Sequence, residues 1–211
     1  MRMTRTLGHR NAGPATVAPG RWHGSLDTVT DSERRGLRPV GMTAREVAVR
    51  TGALLRALPG ILVFQGVRPA AGELPRIPHA ISAGRRLILV ESVAWPPGRY
   101  RQGADGRIHC DGMYIGQSVL PLVSAVRCWQ ATLPRGHRVS ALVVVHPSEE
   151  GALVLPDAVT GEVAWTRARD TVRAVRTRLP RGRPVTSARA VAALVAATAA
   201  DDAAGRAPEG T

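Results

Sequence analysis

The chain of 211 residues is long enough for one domain of about 150 residues with tails and a sizeable apolar core. Its two cysteines, Cys110 and Cys128, lack the close spacing of a zinc site or a disulfide framework, which fits a reducing cytoplasm. No apolar run approaches the roughly 18 residues of a membrane helix, so we expect no membrane partner.

The net charge of +13 favours an anionic partner, and nucleic acid is the first class to consider. All 29 basic residues are arginine, and Asn11 is the only asparagine. Together with the abundant Ala, Gly and Pro, this resembles the codon bias of a GC-rich bacterial genome. Part of the charge is therefore compositional, and it supports nucleic-acid binding without establishing it.

The first 40 residues mix Arg, Gly, Pro, Ser and Thr without a sustained period. Residues 1–40 are therefore predicted to be a flexible basic arm, in which Trp22 is the one residue expected to dock on the domain. An α/β domain is expected over residues 41–182. It opens on a helix over 43–58, because Thr43 and Glu46 form a capping box ahead of an apolar stripe.

The domain is organised around the stretch 77–95. Its run 87–90 is apolar, too short for a helix and bounded by turn signals, which predicts a buried central strand. Glu91 follows directly, so the strand holds a carboxylate rigidly, as a metal site requires. A strand that simply leaves the core and meets water is the commoner explanation of Glu91.

The second half of the domain continues the alternation of strands and helices. Asp105-Gly106 predicts a hairpin, and an amphipathic helix is expected over 117–133. A second fully buried strand is expected over 140–146, with shorter strands at 152–155 and 162–165. This order of elements predicts an α/β fold with a mixed central sheet flanked by helices.

A third helix is expected over 167–179, with Arg169, Arg173 and Arg176 along one face. Such a basic stripe is either a phosphate-facing surface or a solvated helix face. Residues 183–211 are predicted to form an Ala-rich helix followed by a disordered tail.

The order of several motifs resembles the nuclease-related domain family of the PD-(D/E)XK, or restriction-endonuclease-like, superfamily. That family has a helix glutamate, then I-D-H, then a strand ending in E-x-K, then W-x-G, and residues 42–146 are similar to it. The matching positions are Glu46, Ile77-Pro78-His79, Val90-Glu91-Ser92-Val93, Trp95-Pro96-Pro97-Gly98 with one extra residue, and Gln117 at the opening of the next helix. The resemblance implies a restriction-endonuclease-like sheet and makes Glu91, Glu46 and Gln117 the candidate catalytic residues.

Two departures from the family pattern bear on activity. Pro78 stands at the aspartate that binds Mg²⁺ in the superfamily, and Val93 stands at the lysine that positions the attacking water. The chain contains no lysine, and arginine cannot act as a base because its pKa is too high. The candidate residues are therefore predicted to be vestigial, with no metal. Mg²⁺ would be a cofactor only if Glu73 or Asp105 supplied a substitute ligand.

The sequence predicts a catalytically impaired nuclease-related domain in the cytoplasm that binds DNA or RNA through arginine–phosphate contacts. The candidate contact residues are Arg86, Arg99, Arg169, Arg173 and Arg176. Two alternatives stay open: an active metal-dependent nuclease with relocated ligands, and a protein-interaction module whose basic charge is genomic bias.

Overall fold

The structure of the protein is a computed structural model that describes residues 21–31, 36–69, 74–156, 162–180 and 187–199. The predictions made for residues 1–20, for the tail from 200 onward and for Glu73 lie outside these ranges. No helix in the described ranges is long and apolar enough to cross a membrane.

The described ranges contain four helices and ten strands, and six of the strands follow one another between α1 and α2. The helices are α1 (Ala44–Leu55), α2 (Leu120–Thr132), α3 (Thr171–Arg176) and α4 (Ala188–Ala199). The strands are β1 (Arg21–Gly24), β2 (Leu62–Val67), β3 (Ile77–Ala83), β4 (Arg86–Trp95), β5 (Gly98–Gln102), β6 (Arg107–Cys110), β7 (Met113–Ser118), β8 (Arg138–Pro147), β9 (Leu153–Val154) and β10 (Val163–Arg167). A 3-10 turn, Ala168–Asp170, joins β10 to α3.

The main sheet has six strands in the order β1-β2-β3-β4-β8-β10, and a smaller sheet has the order β7-β6-β5-β9. Strands β3 and β4 form an antiparallel pair, while β4 and β8 are parallel over ten residue pairs. The two apolar runs predicted as central strands lie in β4 and β8, both interior. The predicted α/β fold with a mixed sheet is thus confirmed.

The apolar runs are uninterrupted because helices cover both faces of the main sheet. Side chains alternate between the faces of a strand. Leu89 and Val93 of β4 face a cluster that includes residues of α2 and α4, whereas Ile88 and Val90 face a cluster with residues of α1 and α3. A strand covered on both sides has no position where a polar side chain would reach water.

Helix α1 begins where its capping box predicts. The Glu46 backbone N–H donates to Thr43 Oγ1 at 3.2 Å, and the Thr43 backbone N–H donates to the Glu46 carboxylate at 2.8 Å. The helix ends at Leu55, three residues before the predicted end at Leu58. The reason is a tight turn, in which the Leu58 N–H donates to the Leu55 carbonyl ahead of Pro59.

The described part of the predicted arm is ordered. Residues 21–24 form β1, which pairs with β2 in parallel, so the prediction of a flexible arm is wrong there. Helix α4 packs on the same two strands: Leu194 is buried, and the Arg68 N–H donates to the Ala197 carbonyl at 3.2 Å. A four-residue strand has too few residues to show a period, and its order comes from pairing that local sequence does not encode.

The smaller sheet is fixed to the main sheet by aromatic contacts. The predicted hairpin at Asp105-Gly106 is present as β5 and β6. Tyr100 of β5 stacks on Trp95 of β4 with ring centroids 4.3 Å apart, and Trp165 of β10 donates to the Gln102 carboxamide at 3.2 Å.

Substitutions at two glycines, Gly66 and Gly60, would show how closely the 25–28 loop packs on β2. Gly66 and Gly60 both have left-handed φ angles, +62° and +72°. A Cβ on Gly66 would lie 2.5 Å from the Ser25 carbonyl oxygen and 2.7 Å from Thr28 Oγ1, whereas a Cβ on Gly60 would meet nothing within 4 Å. Alanine at either position should cost about 1–2 kcal/mol for the φ angle.

We expect Gly66→Ala to lower the free energy of unfolding by about 1–3 kcal/mol more than Gly60→Ala, because only the first must displace the loop. Urea denaturation of both variants measures the difference. Equal losses would show that the loop is not held against β2.

Candidate functional site

The two candidate catalytic carboxylates lie on opposite faces of the main sheet. Glu91 is opposite Val143, whose side chain belongs to the cluster under α2 and α4. Glu46 is an exposed residue in the first turn of α1, which covers the other face. The structure therefore does not bring together the two carboxylates that a shared metal would need.

Glu91 is 5% exposed, and its carboxylate is hydrogen-bonded to the backbone of its own strand. Its Oε1 accepts a hydrogen bond from the Ser92 N–H at 2.8 Å. The described pairing of β3 with β4 ends one position earlier, at His79 and Val90, beside Pro78. Because proline offers no N–H, pairing weakens at this point, and the Glu91 side chain supplies an acceptor next to the break.

Pro78 also alters the other side of β3. The register of β2 with β3 places Gly66 opposite Pro78, between the pairs Gln65–His79 and Val67–Ile77. The Gly66 carbonyl accepts a hydrogen bond from Nη1 of the buried Arg76 at 2.6 Å. The residue at the family's aspartate position therefore lies in a buried strand, beside a backbone carbonyl that already accepts a hydrogen bond.

The described residues do not fit a Mg²⁺ site. Val93 is fully buried in the apolar core, so the lysine position has no opening to a substrate. Asp105, one suggested substitute ligand, accepts from the Arg107 N–H at 3.1 Å in the β5–β6 turn of the smaller sheet. Among the described residues, no group of three His, Cys, Asp or Glu side chains could hold a metal ion. Glu91 alone is a poor site for a hard cation that needs several oxygen ligands.

Gln117 has a structural position that differs from the prediction. It lies in β7, and α2 begins three residues later at Leu120, so the expectation that Gln117 opens the helix is wrong. Its buried Oε1 accepts from the Arg38 N–H at 3.0 Å and from Trp95 Nε1 at 3.2 Å. The Ser118 hydroxyl accepts from the Leu120 N–H, and Pro121 sits in the first turn, which together set the helix start.

A buried polar cluster under α1 was not predicted. Ser92 Oγ donates to Thr51 Oγ1 at 2.9 Å, and Thr51 Oγ1 lies 2.8 Å from His146 Nε2. Since the threonine hydroxyl accepts from serine, its own proton is available to Nε2. The cluster ties α1 to β4 and β8. It is unsuited to nucleophilic catalysis, because Thr51 separates Ser92 from the imidazole and both hydroxyls are fully buried.

His146 is kept neutral by its surroundings. Burial, followed by the nearby positive charge of Arg50, lowers the pKa of His146 from its ordinary value of 6.5 to about 4. Nε2 can therefore accept a hydrogen bond throughout the neutral pH range.

Glu46 is the motif carboxylate that faces an open depression. The depression has a volume of about 730 Å³ and is lined by residues 41–43, 45, 46, 49 and 50. Hydrogen bonds from the Thr43 backbone N–H and then its hydroxyl lower the pKa of Glu46 below its ordinary value. The carboxylate is thus already engaged by its own helix cap.

The five arginines predicted to contact phosphate lie on several different elements. Arg169 and Arg173 both pair with Asp170, at 3.8 Å and 3.0 Å, so their charge is partly neutralised. Arg176 is exposed on the short helix α3. Arg99 lies on the smaller sheet, and Arg86 starts β4. Because Arg169 lies in the 3-10 turn before α3, the predicted stripe is not one helix face, and two of its three arginines are paired locally.

Arg86 instead belongs to a cluster at the start of β4 and β8, which we call the arginine edge: Arg85, Arg86, Arg135 and Arg138. All four are exposed. Arg86 is opposite Arg138 in the parallel pairing, and the Arg138 N–H donates to the Arg85 carbonyl at 2.8 Å. Within the described part of the chain, no acidic side chain forms an ion pair with any of them.

Acidic residues near strand ends lie mostly at the opposite end of the main sheet. Glu149 and Glu150 follow β8, and Asp170 follows β10. Near the arginine edge, Glu162 precedes β10 and lies 3.9 Å from Arg127. The end of the sheet that carries these acidic residues also carries arginines, such as Arg68 after β2 and Arg167 at the end of β10, whereas the arginine edge has Glu162 as its described acidic neighbour. The sequence contains a signal for the arginine edge, because arginines in turns precede both buried runs. That signal indicates a shared surface only when the two runs are known to be adjacent parallel strands, which start at the same edge of the sheet.

The neutral state of His146 predicts a pH dependence of stability. Between pH 6.5 and about 4 the unfolded chain binds a proton at this residue more readily than the folded chain, so the free energy of unfolding falls as pH falls through that window. His146→Gln removes this contribution and should give a shallower decline between pH 7 and 5. Urea denaturation across that range measures both slopes, and identical slopes would contradict the assignment.

Comparisons with protein-family models, with curated proteins and with solved structures find no match to this chain. The resemblance to the nuclease-related domain family therefore rests on the order of motifs and stays a prediction. The geometry of the described residues favours the arginine edge over the carboxylates as the candidate site.

Proposed function

We propose that this protein binds nucleic acid through arginine–phosphate contacts, as a cytoplasmic member of the nuclease-related domain family without a working metal centre. The arginine edge is the observation that carries the proposal. Four exposed guanidinium groups extend from two adjacent turns, and no described acidic side chain pairs with them.

The spacing of the arginine edge suits a phosphate backbone. Arg86 and Arg138 start neighbouring strands, about 4.8 Å apart. A nucleic-acid strand carries one phosphate per nucleotide, so long arginine side chains on neighbouring protein strands can engage adjacent phosphates. Guanidinium groups bind phosphate oxygens in a bidentate manner, which favours arginine over a point charge.

The expected binding is independent of sequence. Phosphate contacts position a protein on nucleic acid and carry no direct sequence information. Each contact releases condensed counterions, so affinity should fall steeply as salt rises.

The interior of the sheet supports the absence of catalysis in this proposal. Glu91 is held against its own backbone, Val93 is fully buried, and Glu46 lies on the other face. Arginine could neutralise a phosphate, but among the described residues no group of three His, Cys, Asp or Glu side chains could hold a metal ion that activates water.

We expect the double variant Arg86→Gln, Arg138→Gln to weaken binding of a duplex by roughly tenfold or more at low salt and to flatten the salt slope. The matched control is Arg169→Gln, Arg173→Gln, which removes the same charge from residues that share Asp170. Fluorescence anisotropy over a salt series measures both. Equal effects of the two variants, or binding indifferent to salt, would contradict the arginine edge and favour a protein-interaction role.

We also expect no cleavage of DNA or RNA with Mg²⁺ or Mn²⁺, because the other motif carboxylate, Glu46, belongs to a helix on the opposite face of the sheet from Glu91. A gel assay of the wild type beside Glu91→Gln tests this. Metal-dependent cleavage that disappears in the variant would restore the alternative of an active nuclease with relocated ligands.

A further inference from the structure

The smaller sheet presents a basic and aromatic surface to solvent, which we call the outer face: Arg99, Arg101, Arg107, His109 and Tyr114. The burial of β5 alternates, with Tyr100 buried between the exposed Arg99 and Arg101. Arg101 is opposite His109, and His109 is opposite Tyr114. Since directly opposite residues share a face, the three strands align these side chains across the sheet.

The surface has a rigid support. Tyr100 and Ile108 on the inner face are buried, and Tyr100 stacks on Trp95 of the main sheet. The β6–β7 connection is the two-residue turn Asp111-Gly112, with φ of +50° and +88°. Such a turn matches the twist of antiparallel strands and fixes the hairpin.

Tyr114 is the aromatic centre of the outer face. It is 50% exposed although it sits within a strand. The guanidinium carbon of Arg107 lies 5.3 Å from the centroid of its ring, and the His109 ring centroid lies 5.8 Å away. Arg107 also pairs with Asp105 at 3.4 Å, in a contact where both side chains are more than half exposed and therefore easily exchanged.

We propose that the outer face binds unpaired bases of single-stranded nucleic acid, with Tyr114 stacking on a base while Arg99 and Arg101 contact the flanking phosphates. An exposed ring among cations provides the two contacts that single-strand binding combines, which are stacking and phosphate neutralisation. A stacked base in a duplex cannot reach such a ring. The inference goes beyond phosphate binding at the arginine edge and does not require it.

The test uses the full chain with labelled probes of about 12 units: (dT), (U), an abasic deoxyribose-phosphate strand and a duplex. We expect Tyr114→Ala to weaken binding of (dT) or (U) by about tenfold and to leave the abasic strand and the duplex unchanged. Tyr114→Phe should keep the affinity because it keeps the ring. Met113→Ala, at a neighbouring residue that is 75% exposed, is the matched control and should have no effect.

The affinities of the wild type for (dT) and (U) distinguish a preference for DNA from a preference for RNA. Tyr114→Ala without effect on either strand, or with an equal effect on the abasic strand, would overturn the inference. The arginine-edge variants are assayed on the same probes. Loss of duplex binding in those variants with no change in Tyr114→Ala would leave only the arginine edge, and the reverse pattern would leave only the outer face.

Discussion

The parallel pairing of β4 with β8 over ten residue pairs fixes most of what this protein presents to its surroundings. Strand alternation sends Glu91 to one face and Ser92 to the other, which separates the motif carboxylate from the polar cluster under α1. The same pairing places Arg86 beside Arg138, so that two turns distant in sequence form one basic edge. Neither arrangement could change without shifting the register of two strands buried on both faces.

Sequence patterns predicted the elements whose information is local. The apolar runs in β4 and β8, the capping box at Thr43 and the Asp105-Gly106 hairpin each have a physical cause within a few residues. Strand β1 and the docking of α4 were not predictable in this way, because their order comes from pairing and packing against β2. The sequence pattern predicted that Gln117 opens α2, but Gln117 lies in the short strand β7 and the helix begins at Leu120.

The candidate site was harder to predict because function depends on which side chains share a face. The motif order placed Glu46 and Glu91 in one set, but strand parity and the packing of α1 put them on opposite sides of the sheet. Likewise the sequence shows the spacing of Arg169 and Arg173, whereas only the folded structure shows that both pair with Asp170. A charge pattern predicts a binding surface only after the pairing of those charges is known.

The use of arginine in place of lysine throughout the chain has a physical consequence for both proposals. Guanidinium groups pair with phosphates and also stack on rings, as Arg107 does on Tyr114, but they do not release a proton at neutral pH. The composition that suits binding therefore removes the lysine chemistry of the superfamily.

The arginine edge lies at the start of β4 and the outer face follows the end of β4. The length of that ten-residue strand is about 33 Å. A nucleic acid with a duplex segment and an unpaired segment could contact both surfaces. Since the second contact would then be intramolecular, modest affinities at each surface would multiply into a much tighter complex.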